Sequence, residues 1–213
     1  MYLVELYNLI EDGENSTVEF KRKFSSPEKI AKEMIAFANT KGGKILFGID
    51  DDRTIVGVES EKGEMELIDT AARFYCEPEI VYDYEIASIK NSDIVILNIP
   101  ESTNKPHKLI HDSENEETKV YIRYNDKSVL ASRETINIIR GSNPKSHPVK
   151  INFGEIEKNL MKYLEENEKI TVKGFKKLAN ISERRASRIL VTLVRAQIIR
   201  HHRLDNNEFF TMV

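Results

Sequence analysis

The chain has 213 residues, 40% hydrophobic and 31% charged, which supplies enough apolar side chain for a packed core and argues against a disordered chain. A single cysteine rules out an internal disulfide and a cysteine-built zinc site. No run approaches the ~18–20 apolar residues of a membrane span, and the N-terminal stretch has neither the basic segment nor the cleavage site of a secretory signal, so a cytoplasmic protein with no membrane partner is expected.

Taken in chain order, Asn15–Phe20 alternates apolar and polar residues as a half-buried strand does. Pro27–Asn39 has helical spacing through Ile30, Met34, Ile35, Phe37 and Ala38, and Pro27 suits a first helical turn. Gly42 and Gly43 stop that helix, and Lys44–Ile49 is a short apolar strand. Asp50–Arg53 turns into an expected strand at Thr54–Val58, followed by a helix over Met65–Tyr75. Strands are expected near Glu79–Ala87, Ile94–Pro100 and Lys119–Tyr124, and a helix near Arg133–Arg140. Gly141–Pro148, with two prolines and a glycine, reads as a linker. The division is therefore a domain over 1–140, a linker over 141–150 and a second domain over 151–213.

The net charge of −3 hides an asymmetry across that division. Residues 1–150 carry 20 Lys/Arg against 27 Asp/Glu, whereas residues 151–213 carry 12 against 8. A small basic part attached to a larger acidic one suits contact with phosphate backbones. Its pattern is three helices, at Gly154–Glu166, Val172–Leu178 and Ser182–Arg195, then two strand-like runs, Ile198–Leu204 and Glu208–Met212. That is winged-helix order. In the third helix Arg184, Arg185 and Arg188 lie near the N-terminus, where helix-turn-helix proteins meet nucleic acid, and Arg200, His202 and Arg203 sit where a wing touches the backbone. The alternative is a solvated basic face used for protein contacts. His201–His202 and His107 with His111 lack a third ligand at zinc spacing, so no zinc is expected.

In the large domain, Val18 and Phe20 face one side of a strand, so Glu19 and Lys21 share the other. A carboxylate and a lysine two residues apart are the local arrangement of many Mg²⁺-dependent nucleases, the acid holding the metal and the lysine orienting water. Glu14 precedes the strand, and Asp50, Asp51 and Asp52 follow the next one. If the two strands are neighbours, Glu14, Glu19 and an aspartate meet at a hard cation that offsets their repulsion. Each signal has a plain counterpart: Glu-x-Lys arises by chance, and an Asp run after a strand is commonly a turn. Arg123, on a strand, reads either as a phosphate holder or as an internal ion pair, and Asn39 as a helix-end cap or a cleft residue.

The stretch Glu14–Lys21, the block AFANTKGGKILFGIDDD, the segment IVGVE and the later KPHKLI and YIRYNDKSVLAS together resemble the AlbA-like nucleic-acid-binding domain of the Schlafen family, over about Glu14–Arg140. The resemblance implies an α+β fold, a mixed sheet with flanking helices, followed by a small C-terminal winged helix as in prokaryotic transcriptional regulators. Carried over from the RNA-cleaving members, it implies a carboxylate set of Glu14, Glu19 and Asp51, with Asp50 as the alternative, holding Mg or Mn beside Lys21. Those members join two lobes into a clamp where this chain has one, so a homodimer is expected. The family's ATP-binding description is not followed: a P-loop needs Gly-x4-Gly-Lys-Ser/Thr opening a helix, whereas Gly42-Gly43-Lys44 opens a strand, so no ATP is expected. Two functions stand side by side: a metal-dependent, RNase-like endonuclease acting on RNA or DNA, and a non-catalytic DNA-binding transcriptional regulator working through the winged helix.

Overall fold

The computed structural model describes residues 3–110, 119–143, 146, 148–205 and 207–213, so His111 and Asn206 lie outside the described residues. The chain forms two compact units, Met1–Ser132 and Arg133–Val213. The expected division lay eight residues later, at the end of the helix that now opens the second unit.

The first unit runs α1 (Leu3–Asp12), β1 (Val18–Lys21), α2 (Pro27–Asn39), β2 (Gly43–Phe47), α3 (Glu61–Phe74), β3 (Cys76–Glu77), β4 (Asp83–Ile89), β5 (Ser92–Ile99), β6 (Lys108–Leu109), β7 (Tyr121–Tyr124) and β8 (Lys127–Leu130). Its main sheet is mixed, in the order β1-β2-β5-β4, with β1 parallel to β2 and the other pairs antiparallel. This is the α+β class with helices flanking a mixed sheet.

Strand periodicity explains the layering. Ile45, Phe47, Val95, Leu97 and Ile99 point to one face and pack with Ile30, Met34, Ile35 and Phe37 of α2 and Ile68 and Ala71 of α3. Leu46, Ile94 and Ile96 point to the other face, where Val18, Phe20 and Leu6 and Ile10 of α1 join them. A sheet covered on both sides reads as an unbroken apolar run, which is why Ile94–Leu97 shows no alternation. Helix α2 begins as its sequence suggests: Ser26 is the N-cap, its hydroxyl accepting from Lys29 N at 3.3 Å, with Pro27 in the first turn. It ends at Asn39 with Thr40 as C-cap, and Gly42 N donates back to Phe37 O at 2.9 Å; the positive φ of 73° at Gly42 and its close approach to the Ile99 carbonyl leave no room for a Cβ. Thr54–Val58 is not a strand; only Ile55 bridges back, to Ile49, because Gly48 N and Ile49 N both donate to Lys21 O and Gly57 N donates to Gly48 O, folding the segment into a tight loop.

The second unit holds α4 (Arg133–Ser142), α5 (Glu155–Asn167), β9 (Lys169–Ile170), α6 (Val172–Leu178), α7 (Glu183–Arg195), β10 (Ile199–Leu204) and β11 (Asn207–Met212). Its antiparallel sheet has the order β10-β11-β9. Leu160, Leu164, Phe175, Ala186, Leu190, Leu193, Ile199 and Phe210 make its core. Thr171 caps α6 by accepting from Gly174 N at 3.0 Å, and Ser182 caps α7 by accepting from Arg185 N at 3.2 Å.

Candidate functional site

Because β1 and β2 are parallel neighbours, the end of β1 and the loop after β2 meet at one corner. Glu14 Oε1 accepts from Phe20 N at 2.9 Å, so its carboxyl end leans back onto β1 although much of the residue is exposed. Burial raises the Glu14 pKa above its ordinary value; the Phe20 N–H and Lys21 work against that rise, and Glu19 and Asp51 add to it. Glu14 therefore feels the charges of Glu19, Lys21 and Asp51.

Their side chains are already committed. With Val18 and Phe20 on the α1 side, Glu19 points toward α2 and is buried. One Glu19 oxygen accepts from Lys21 Nζ and the other from Arg123 Nη1 at 3.0 Å. Arg123, whose side chain is 1% exposed, also donates to Glu33 at 3.2 Å, Ser128 Oγ at 3.1 Å and the Asn15 carbonyl at 2.8 Å, and its guanidinium lies 4.5 Å over the Phe37 ring. Two carboxylates, one guanidinium and one ammonium neutralise each other in a closed network. Asp50 turns instead to Arg22 at 2.6 Å, while Asp51 is exposed. Among the described residues no three His, Cys, Asp or Glu side chains are placed to hold a metal ion. The donor set thus does not fit the expected Mg or Mn: Glu19 has given both oxygens to cations. Arg123 has no surface from which to hold a phosphate of bound nucleic acid; the internal ion pair is what the geometry contains.

Asn39 neither caps α2 nor lines a cleft. Its Nδ2 donates to the carbonyls of His107 at 2.9 Å and Tyr121 at 3.0 Å, and its Oδ1 accepts from His107 N at 2.7 Å, strapping α2 to two later segments. His107 is buried, its ring nitrogens 2.7 Å from the Pro78 carbonyl and the Ser102 hydroxyl. Burial holds its pKa below the usual histidine value, so the neutral ring donates through Nδ1 to Pro78 and accepts from Ser102 through Nε2.

The second unit has the opposite character. Arg184, Arg185, Arg188 and Arg200 are exposed. His202 stacks on Phe209 and meets the Thr211 hydroxyl at 2.9 Å, and Arg203 turns to Glu208 at 3.8 Å and to the Asp205 carbonyl, so these two are tied to the hairpin itself. Helix α4 packs on α7: Ser187 Oγ donates to Glu134 at 2.6 Å, and Thr135 Oγ1 donates to Glu208 of β11 at 3.2 Å. Between α4 and α7 runs a groove of about 630 Å³ whose lining, among the described residues, includes Arg133, Arg140, Lys150, Arg184, Arg188 and Arg195 and no carboxylate. Of these, Arg140, Lys150 and Arg195 were not singled out from the sequence, and Arg133 was weighed only as a phosphate holder near the acidic cluster of the first unit. The available signal was spacing, since Arg133 and Arg140 stand seven residues apart on one helix and Arg184, Arg188 and Arg195 share one face of another.

The family model described as Schlafen, AlbA_2 matches residues 14–132. An uncharacterized ATP-binding protein of Ureaplasma parvum serovar 3 is 41% identical over 58 residues, which are 26% of this chain and 16% of that protein; the match thus spans under a fifth of the relative's length. Among solved structures, a Corynebacterium diphtheriae protein aligns with a TM-score of 0.48 at 15% identity, covering 69% of this chain and 34% of its own. The N-terminal domain of a RecG-related protein of Nitrosomonas europaea aligns with a TM-score of 0.42 at 19% identity, covering 62% and 92%. The Ureaplasma relative corrects the expectation of no ATP. That expectation rested on the missing P-loop, which is one nucleotide-binding arrangement among several, and a relative named as ATP-binding overturns it.

Proposed function

The chain belongs to the Schlafen AlbA_2 family, and from that premise we propose that it binds nucleic acid and that its C-terminal unit, a winged helix, supplies the grip. The observation that carries this reading is the N-terminal half of α7. Arg184, Arg185 and Arg188 are exposed there, on a helix opened by the Ser182 cap, and among the described residues none of them forms an ion pair. Cations that no carboxylate neutralises, standing at the positive end of a helix dipole, are complementary to phosphate. The order α5-β9-α6-α7-β10-β11 supports the winged-helix assignment, with Arg200 on the hairpin beside α7. This is the regulator reading; metal-dependent cleavage forms no part of it, since Glu19 lies between Lys21 and Arg123.

Fluorescence anisotropy of the full chain with labelled duplex DNA and with RNA tests the proposal. The variant Arg184→Ala/Arg185→Ala/Arg188→Ala is expected to lose at least tenfold in affinity at low salt while melting like the parent, about 1.4 kcal/mol of binding. Equal affinity of variant and parent would contradict it.

The relative's name brings a second ligand to this chain, ATP. A triphosphate suits the same basic groove, and an ATP titration followed by melting temperature tests it: a rise that Arg188→Ala removes supports the reading, and no rise counts against it.

A further inference from the structure

One wall of the groove between α4 and α7 is α4, an addition ahead of the three-helix core, so the groove extends the α7 surface that a winged helix ordinarily offers to nucleic acid. Among the described residues six Lys or Arg line it, from α4, the segment after it and α7, and no acidic residue does. Like charges gathered around one concavity repel and weaken the fold unless something opposes them. Among the described residues Arg133, Arg140, Arg184 and Arg188 take part in no ion pair. An arrangement that costs the free protein stability and is relieved by an anion is what a binding site for a polyanion looks like.

The docking of α4 also decides which contacts remain. Glu134 accepts from Ser187, and Ser187 and Val191, in the middle of α7, are left 8% and 7% exposed. In major-groove docking the recognition helix offers such positions to base edges. Here α4 covers them, and what is offered is a channel of guanidinium and ammonium groups, whose natural partners are phosphate oxygens. Arginine on both walls suits a chain of phosphates running along the groove.

We infer that the α4–α7 groove is a site for a phosphodiester backbone, with Arg133 and Arg140 of α4 sharing the load with Arg184, Arg188 and Arg195 of α7. The inference rests on the nucleic-acid reading above and adds to it the backbone as the recognised part and α4 as half of the site. Binding is thereby sequence-tolerant, since phosphates carry no base identity.

The test compares two variants of the full chain, Arg133→Ala/Arg140→Ala on α4 and Arg184→Ala/Arg185→Ala/Arg188→Ala on α7. For each, affinity for one labelled duplex is measured across salt, and circular dichroism melting checks that the fold is kept. Each lost phosphate contact lowers the log-affinity against log-salt slope by about 0.9. The α4 variant is expected to lose about one to two units of slope, and selection from a randomised duplex pool with the parent to enrich no consensus. A parental slope for the α4 variant while the α7 variant weakens would overturn the groove and leave the nucleic-acid reading standing. Parental behaviour of both would overturn both, and an enriched consensus would overturn the backbone assignment.

Discussion

Replacing Arg123 by alanine strands two carboxylates. Glu19 and Glu33 both accept from the same Nη1, at 3.0 and 3.2 Å, and the Asn15 carbonyl loses its 2.8 Å donor as well. Lys21 remains for Glu19, whereas the nearest other cation to Glu33 is Lys32, at 4.0 Å. Removing one partner of a buried ion pair costs about 3–5 kcal/mol because a charge is left without compensation. That is a large share of the ~5–15 kcal/mol that holds a domain together. At about 2–4 °C per kcal/mol for a chain of this size, melting is expected to fall by roughly 6–20 °C. Urea or thermal unfolding followed by circular dichroism reads it. The companion variant Arg123→Met/Glu19→Gln/Glu33→Gln is expected to recover much of the loss, since replacing all the charges avoids the stranded ones. A fall below about 1 kcal/mol for Arg123→Ala, the range of an exposed pair, would refute the view that these acids are held as an internal network.

Three further outcomes follow from particular side chains. His107 is kept neutral by burial; above about pH 6.5 it is neutral folded or unfolded, and as pH falls through 6.5 the unfolded chain takes the proton first, so stability declines until the lower folded pKa is passed. His107→Gln should lack that part of the slope, and parallel profiles would refute the assignment. Glu14 is the opposite case: its raised folded pKa means the folded chain holds the proton to higher pH, so its contribution is largest in acid and is lost as pH rises through that value. Glu14→Gln keeps an acceptor for Phe20 N without the charge and should be at least as stable as the parent at neutral pH; a less stable variant in denaturant titration would contradict this. Ser182→Ala removes the α7 cap and should cost about 1 kcal/mol in urea unfolding; no change would mean that the cap is not made in solution.

The local signals in the chain were readable where they are short-range. Pro27 after a serine, Val172–Leu178 behind Thr171, and the two apolar runs around Asp205 each announce an element that is present. The metal-site reading ran out where a side chain's meaning depends on distant residues. Glu19 and Lys21 do share a strand face, but that face is closed by α2, and the guanidinium that takes Glu19 comes from 104 residues away. No local pattern distinguishes an acid waiting for a metal from one waiting for an arginine. Helix α4 was legible as a helix; its attachment to the C-terminal unit hangs on Glu134 with Ser187 and Thr135 with Glu208, partners 53 and 73 residues apart. The strand expected at Thr54–Val58 was lost to hydrogen bonds among Lys21, Gly48 and Gly57 that periodicity does not register.

The most direct measurement is the affinity of the unmodified full chain for a short duplex between about 50 and about 200 mM salt. A steep linear fall of log affinity against log salt, with a slope of at least about −3 for the arginines of α4 and α7 acting on phosphates, is the result this account predicts. A flat dependence, or no binding at the low-salt end, would contradict it.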